Sequence, residues 1–311
     1  MSKKILVATE KPFAKEAVDK MKAALKAGYE MNFLEKYTSV DEFKAAVKDV
    51  DALIIRSDKA TKEIMDAAKN LKVIVRAGAG FDNIDLPEAT AHNLVAMNTP
   101  GQNSNAVAEL AIGMMIMIAR NNYNGKSGSE IHGKKLGIYG YGNVGRLLGK
   151  YAMGFGMEVI AYDPFLTKEA IEATGAKQCT DLDELFGTCH YVSLHCPAND
   201  ETKNSINMSK MGKMPTGATL VNTARKEVVC EESLKKILAE RPDFKYVADV
   251  APDCAAELKE KFADRVFFTP KKLGAQTEEA NINAGVAAVN QIMDFLENGL
   301  HDGNKRFKVN K

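Results

Sequence analysis

Short runs of Ile, Leu and Val recur along the chain, alternating with segments whose apolar residues return every three or four positions. Runs of the first kind lie at 4–9, 52–57 and 72–77, and the pattern predicts strands there. Segments of the second kind lie at 13–27, closed by Gly28, at 40–48, opened by the capping box Ser39-x-x-Glu42, and at 61–69. A second series of strand-like runs follows at 135–140, 158–163, 191–196, 219–223, 245–250 and 266–269, with a helix at 143–155. A helix at 104–120 joins the two series. A last helix, 277–298, ends at Gly299 and leaves a polar tail. Strands that alternate with helices form parallel sheets covered on both faces, so the expected fold is α/β with two doubly wound units.

Composition narrows the class without naming a function. A length of 311 residues suits about two domains, since single domains usually hold roughly 100–200 residues. The formal net charge of +1 offers no general attraction for nucleic acid or an anionic membrane, so anion recognition must be local. The five cysteines (Cys179, Cys189, Cys196, Cys230, Cys254) are odd in number and show no C-x-x-C or Cys/His ligand spacing. They read as reduced thiols of a cytosolic protein, mostly small core residues, and no metal site is expected. The apolar run at 5–8 is too short for a secretion signal. The run at 106–119 is interrupted by Glu109 and too short to cross a bilayer, so it is expected as a buried helix. The expectation is a cytoplasmic protein with neither membrane nor nucleic acid as partner.

The sharpest local motif is Gly140-Tyr141-Gly142-Asn143-Val144-Gly145, placed after a strand and at the start of a helix. In that context Gly140 allows a tight turn, Gly142 lets backbone approach a pyrophosphate, and Gly145 lets helix and strand pack closely. The amides of Asn143 and Val144 then face the phosphates, where the helix dipole favours anions. The next strand ends in Asp163-Pro164, about twenty residues on, where a carboxylate binds the ribose hydroxyls and repels a 2′-phosphate. The predicted cofactor is therefore NAD rather than NADP.

Several strings together extend the picture: Ile55-Arg56-Ser57, Arg76-Ala-Gly78-Ala79-Gly80, Met97-Asn98-Thr99-Pro100, Val107-Ala-Glu109-Leu110, Val192-Ser-Leu-His195-Cys196-Pro197, Val221-Asn222-Thr223-Ala224-Arg225 and Leu273-Gly274-Ala275-Gln276-Thr277. In this order, over nearly the whole chain, they resemble the D-2-hydroxyacid dehydrogenase family, most closely its phosphoglycerate-oxidising branch. The resemblance implies a Rossmann NAD-binding domain, about 99–280, inserted in a flavodoxin-like substrate domain made of 1–98 and 281–311. It implies an active site in the cleft between them, hinge closure around the substrate, and a homodimer. The 121–133 connection is short where the family has a longer arm that wraps the partner. His195, Cys196, Pro197, Thr202, Thr223, Ala224, Asp249 and Gly274 fall at positions that the resemblance assigns to the cofactor site.

The chemistry needs a hydride acceptor, a base for the hydroxyl proton, and a cation for the carboxylate. Arg225 matches the family's arginine for the last task, and a guanidinium can engage a carboxylate bidentately. The family's base is a histidine oriented by a glutamate, and the chain departs at both places. Lys272 stands where the histidine is expected, beside Lys271, and Asp253-Cys254 stands where the glutamate would be. The departures belong together. An unperturbed lysine is neutral about one time in a thousand near physiological pH, and a neighbouring carboxylate would make that worse. Losing the glutamate, desolvating the amine and placing Arg225 nearby would each favour the neutral base. Either lysine could serve, and Asp253 or Glu257 could assist.

Arg56 and Arg76, with Ser57, match positions that bind the substrate phosphate in the phosphoglycerate-oxidising branch, and the Gly78 and Ala79 amides match its carboxylate donors. The implied substrate is a small phosphorylated 2-hydroxy acid, and the implied reaction, 3-phosphoglycerate to 3-phosphohydroxypyruvate, opens a route to serine. Two alternatives stay open: a glyoxylate or hydroxypyruvate reductase, and an NAD-binding module without turnover.

Overall fold

A computed structural model of the chain describes residues 2–311 and divides it into two compact units, Met1–Asn103 with Thr277–Lys311, and Ser104–Gln276. The first unit holds five parallel strands: β1 (Lys3–Thr9), β2 (Tyr29–Glu35), β3 (Ala52–Ile55), β4 (Val73–Arg76) and β5 (Val95–Asn98). Their order is β2-β1-β3-β4-β5, the flavodoxin-like arrangement. Ile5–Ala8 and Ala52–Ile55 are buried on both faces, as parallel strands between helices require. The capping box forms: Ser39 Oγ accepts from the Glu42 amide, and Glu42 Oε1 returns to the Thr38 amide at 3.2 Å. The helix expected over 13–27 is shorter, Lys15–Ala23. The chain then leaves the helix to bring Gly28 to the sheet, where its carbonyl accepts from the Lys3 amide at 2.8 Å.

The second unit holds seven parallel strands: β6 (Lys135–Tyr139), β7 (Glu158–Tyr162), β8 (Lys177–Gln178), β9 (Tyr191–Leu194), β10 (Thr219–Asn222), β11 (Lys245–Ala248) and β12 (Val266–Phe268). Their order, β12-β11-β10-β9-β6-β7-β8, reverses direction between β9 and β6. That switch point is where a Rossmann sheet binds its ligand, beyond the carboxyl ends of the strands. The helix Ser104–Ala119 is largely buried and packs in the core of this unit, and no helix among the described residues is long and apolar enough to cross a membrane. All five cysteines are free thiols; Cys179, Cys189 and Cys196 are buried.

The polar tail is the clearest departure from the sequence pattern. Lys308 makes an antiparallel bridge with Met97, and the Val309 amide donates to the Ala96 carbonyl at 2.9 Å. Asn310 completes the match, accepting from the Ala96 amide at 3.0 Å and donating to the Leu94 carbonyl at 2.8 Å. The tail thereby covers the open edge of β5, which would otherwise present unpaired backbone groups.

Candidate active site

In the first unit the two predicted arginines meet. Ile55 and Arg76 are paired across β3 and β4, so Arg56 and Arg76 leave the sheet at the same end. Arg76 Nε donates to the Arg56 carbonyl at 3.0 Å, and its guanidinium lies flat against Gly78, where any side chain would collide with it. The Arg56 guanidinium is held by Asn281 Oδ1 at 2.8 Å and rests 4.8 Å above the Phe13 ring. No carboxylate lies within ion-pair distance of Arg56 among the described residues, and burial pulls its pKa down. Ser57 is exposed beside it.

The Gly78 amide is already committed to the Arg76 carbonyl at 2.9 Å in a tight turn. The exposed Ala79 amide is the better placed of the two predicted carboxylate donors. Asn98 Nδ2 holds the Ala79 carbonyl at 2.6 Å, and the Thr99 amide holds the Gly78 carbonyl at 3.0 Å. Asn281 carries no motif of its own; its role depends on a contact 225 positions away.

In the second unit the glycine motif leaves β6 and opens the helix Asn143–Gly154. Gly140 adopts φ +92°, and a Cβ there would sit 2.8 Å from the His195 carbonyl carbon. A Cβ on Gly145 would strike the Gly140 carbonyl oxygen. Around Gly142 there is open space, and no side chain caps the helix, so the first-turn amides of Asn143 and Val144 remain available. A pyrophosphate fits that donor set. Asp163 follows β7, with the exposed Pro164 after it, and its carboxylate accepts from the Tyr141 amide at 2.8 Å and the Phe165 amide at 3.0 Å. It therefore braces the glycine loop.

His195 lies beyond β9 with Ser193 Oγ at 2.9 Å and Thr223 Oγ1 at 3.2 Å from its two ring nitrogens. Desolvation pushes its pKa down to about 4, so the ring is neutral at ordinary pH and has no carboxylate to orient it as a base. The buried Cys196 thiol is pushed up to about 11 by desolvation. Thr202 turns inward and ties the following loop, donating to the Pro197 carbonyl at 2.5 Å and accepting from the Asn199 amide at 2.9 Å.

Arg225 leaves β10 on a turn built by the buried Asn222, which accepts from the Ala224 amide at 3.0 Å and donates to the Arg225 carbonyl at 2.9 Å. The guanidinium makes one internal bond, to the Ala224 carbonyl at 3.0 Å, and no carboxylate lies within ion-pair distance of it among the described residues. Lys271 and Lys272 are both exposed, on the turn after β12. Asp253 pairs with Lys226 at 2.5 Å, and Glu257 with Lys261 at 2.8 Å. The other histidines serve elsewhere: His92 bonds Asp66 at 2.8 Å, His301 bonds Asp294 at 2.8 Å, and the His132 ring covers Gly156.

Known proteins resemble this chain over most of its length. The model of the NAD binding domain of D-isomer specific 2-hydroxyacid dehydrogenases matches residues 107–271. A hydroxypyruvate reductase of Thermotoga maritima is 36% identical, covering 86% of this chain and 92% of that protein. A D-3-phosphoglycerate dehydrogenase of Methanocaldococcus jannaschii is 34% identical over 84% of this chain, which spans only 52% of that enzyme. Among solved structures, NAD+-bound 3-phosphoglycerate dehydrogenase of Entamoeba histolytica superposes with a TM-score of 0.87 at 46% identity, covering 100% of this chain and 99% of that one.

Proposed function

The chain belongs to the D-isomer specific 2-hydroxyacid dehydrogenase family, an NAD-dependent oxidoreductase, and on that premise we propose that it oxidises a phosphorylated substrate, D-3-phosphoglycerate, to 3-phosphohydroxypyruvate. The observation that carries the substrate is the arginine pair at the ends of β3 and β4, with Arg56 desolvated, stacked on Phe13 and, among the described residues, without a carboxylate within ion-pair distance. An arginine kept in this way is suited to an incoming phosphate, which it can bind bidentately. The phosphoglycerate dehydrogenases of M. jannaschii and E. histolytica support the same reading.

NAD, when bound, accepts the hydride from C2. The chain's own residues do the rest. The amides of Asn143 and Val144 hold the pyrophosphate, and Asp163 favours NAD over NADP. Arg56, Arg76 and Ser57 receive the phosphate, and the Ala79 amide adds a donor for the carboxylate. Arg225 binds the carboxylate and offsets charge on the oxygen as the carbonyl develops. Lys272, in its neutral form, takes the hydroxyl proton. The same reading includes a homodimer, which sedimentation equilibrium tests.

A second reading has its own support: hydroxypyruvate reduction, from the T. maritima relative of almost the same length. That substrate shares the carboxylate and carbonyl chemistry but has no phosphate. NADH formation or consumption on matched pairs with and without phosphate separates the two. Phosphoglycerate and phosphohydroxypyruvate should turn over faster than glycerate and hydroxypyruvate, and Arg56→Ala should lower kcat/KM for the phosphorylated members by about 1.5–3 kcal/mol more than for the others. Equal losses on both members would favour the reductase. Tight cofactor binding without turnover of either would favour a binding module.

A further inference from the structure

The Arg56 guanidinium is gripped by a neutral group. Asn281 lies near the start of the helix Glu278–Asn298, in the same unit as Arg56. Its Nδ2 donates to the Thr277 carbonyl at 2.8 Å, and its Oδ1 accepts from Arg56 Nη2 at 2.8 Å. The first bond settles the second: with the amide nitrogen committed to a carbonyl, the oxygen is the end that faces the guanidinium. The Thr277 carbonyl also accepts from the Asn281 backbone amide at 3.1 Å, so it keeps a partner when the side chain is changed. Two further contacts are neutral as well. Nη1 of Arg56 lies 3.5 Å from the Pro12 carbonyl, and the guanidinium rests on the buried Phe13 ring. Asp58 acts on Arg56 only through space, and its Oδ1 is engaged by the Tyr37 hydroxyl at 2.7 Å and the Glu10 amide at 2.7 Å.

We propose that Asn281 is a positioning residue for phosphate recognition: it aims Arg56 while leaving the charge whole, and so sets the preference for a phosphorylated 2-hydroxy acid over its unphosphorylated counterpart. This role depends on Arg56 being a phosphate ligand, as in the function proposed above. An arginine that receives a phosphate must have its planar fork held in one pose and its positive charge uncancelled. A carboxylate at 281 would supply the pose and remove the charge, since its ion pair with Arg56 would have to be broken or shared before an anion could bind. An alanine there would keep the charge and lose the pose, leaving rotamer freedom that binding must then remove. An amide oxygen meets both needs. Hydride and proton leave from C2 without using these groups, so Asn281 acts on KM rather than on kcat.

Two variants of the whole chain, Asn281→Asp and Asn281→Ala, separate charge from pose. Steady-state kinetics on 3-phosphoglycerate and on glycerate, competition by inorganic phosphate, and thermal melting are measured on each. Asn281→Asp should raise KM for 3-phosphoglycerate at least about thirtyfold and weaken phosphate competition in proportion. Its kcat, and its kcat/KM for glycerate, should stay within about threefold of native. Asn281→Ala should raise the same KM only about three- to tenfold. The order of the two is the discriminating readout. Asp has nearly the shape of Asn, so a residue that merely held the helix to the sheet would tolerate Asp better than Ala, and the melting temperatures report that role separately. In an Arg56→Ala background, Asn281→Ala should change KM less than about twofold, because no guanidinium is left to aim. A KM no higher in Asn281→Asp than in Asn281→Ala, equal losses on the two substrates, or full additivity with Arg56→Ala would overturn the proposal. A native chain that uses glycerate as well as 3-phosphoglycerate would remove the phosphate reading of Arg56, and the role of Asn281 with it, before any residue is altered.

Discussion

The glycine loop after β6 and the lysine arch after β12 both stand at the carboxyl end of the same sheet, yet they are built on opposite principles. The glycine loop is shaped by backbone sterics: a Cβ on Gly145 would meet the Gly140 carbonyl five positions back, a Cβ on Gly140 would meet the backbone of His195 after β9, and its outer brace, Asp163, is one strand away. The arch has no such local logic. Its geometry is imposed from 20 to 25 positions away by the carboxylate of Asp249. A loop that must present backbone amides to a ligand can be encoded in its own residues. The 270–272 turn takes its rigidity from elsewhere in the sheet.

A large effect is expected from Arg225→Ala, which removes the charge at the end of β10 and should lower kcat about 10²–10³-fold, with NADH affinity nearly intact; stopped-flow turnover and fluorescence titration measure the two separately. Gly145→Ala should do the reverse, weakening NADH binding at least about tenfold because its Cβ meets the Gly140 carbonyl, while turnover at saturating cofactor stays within a few-fold. If Gly145→Ala instead left affinity unchanged, the local account of the glycine loop would fail.

Asp163→Ala should come next, because the carboxylate accepts from the Tyr141 amide and, in the proposed function, selects NAD. The NAD preference over NADP should drop by about 1.5–3 kcal/mol, and affinity for both cofactors should fall, as paired titrations would show. A loss of preference with no loss of NAD affinity would mean that the loop holds its shape without that brace. The smallest effect serves as a control remote from both loops. Hydrogen bonding to the Glu88 carbonyl and to Asp66 raises the His92 pKa. Its contribution is complete below about pH 6.5 and is lost as pH rises through the higher folded value. His92→Gln should therefore flatten the fall in stability between about pH 6 and 8 by no more than a few tenths of a kcal/mol, given how exposed the pair is, and leave turnover untouched; urea unfolding at several pH values checks it.

Much of this was legible in the sequence, for reasons that follow from the same contrast. The central strands announce themselves because they are buried on both faces, and the glycine motif because its spacing is a steric requirement. β2, with its alternating half-exposed residues and a Lys-rich partner strand, lacks the Val/Ile signature of its neighbours, and β5 and β8 are four and two residues long. The role of the tail was hidden because Asn310 acts through a contact 214 positions away. Asn281 was silent for a similar reason: it holds Arg56 by a side-chain bond that no local pattern encodes. The lysine pair was visible as a departure from the family pattern, but the carboxylate beneath it became legible only once β11 and the loop after β12 were side by side.

In the proposed division of labour the glycine loop holds the cofactor and the arch moves the proton. It is tested most directly by measuring single-turnover hydride transfer and NADH affinity side by side in Lys272→Ala, with Lys271→Ala as its neighbour control. The account predicts a rate about 10²–10⁴-fold lower in Lys272→Ala, NADH affinity within about twofold of the native value, and a far smaller loss in Lys271→Ala. A native rate in Lys272→Ala, or a loss in one of the histidine variants in its place, would contradict it.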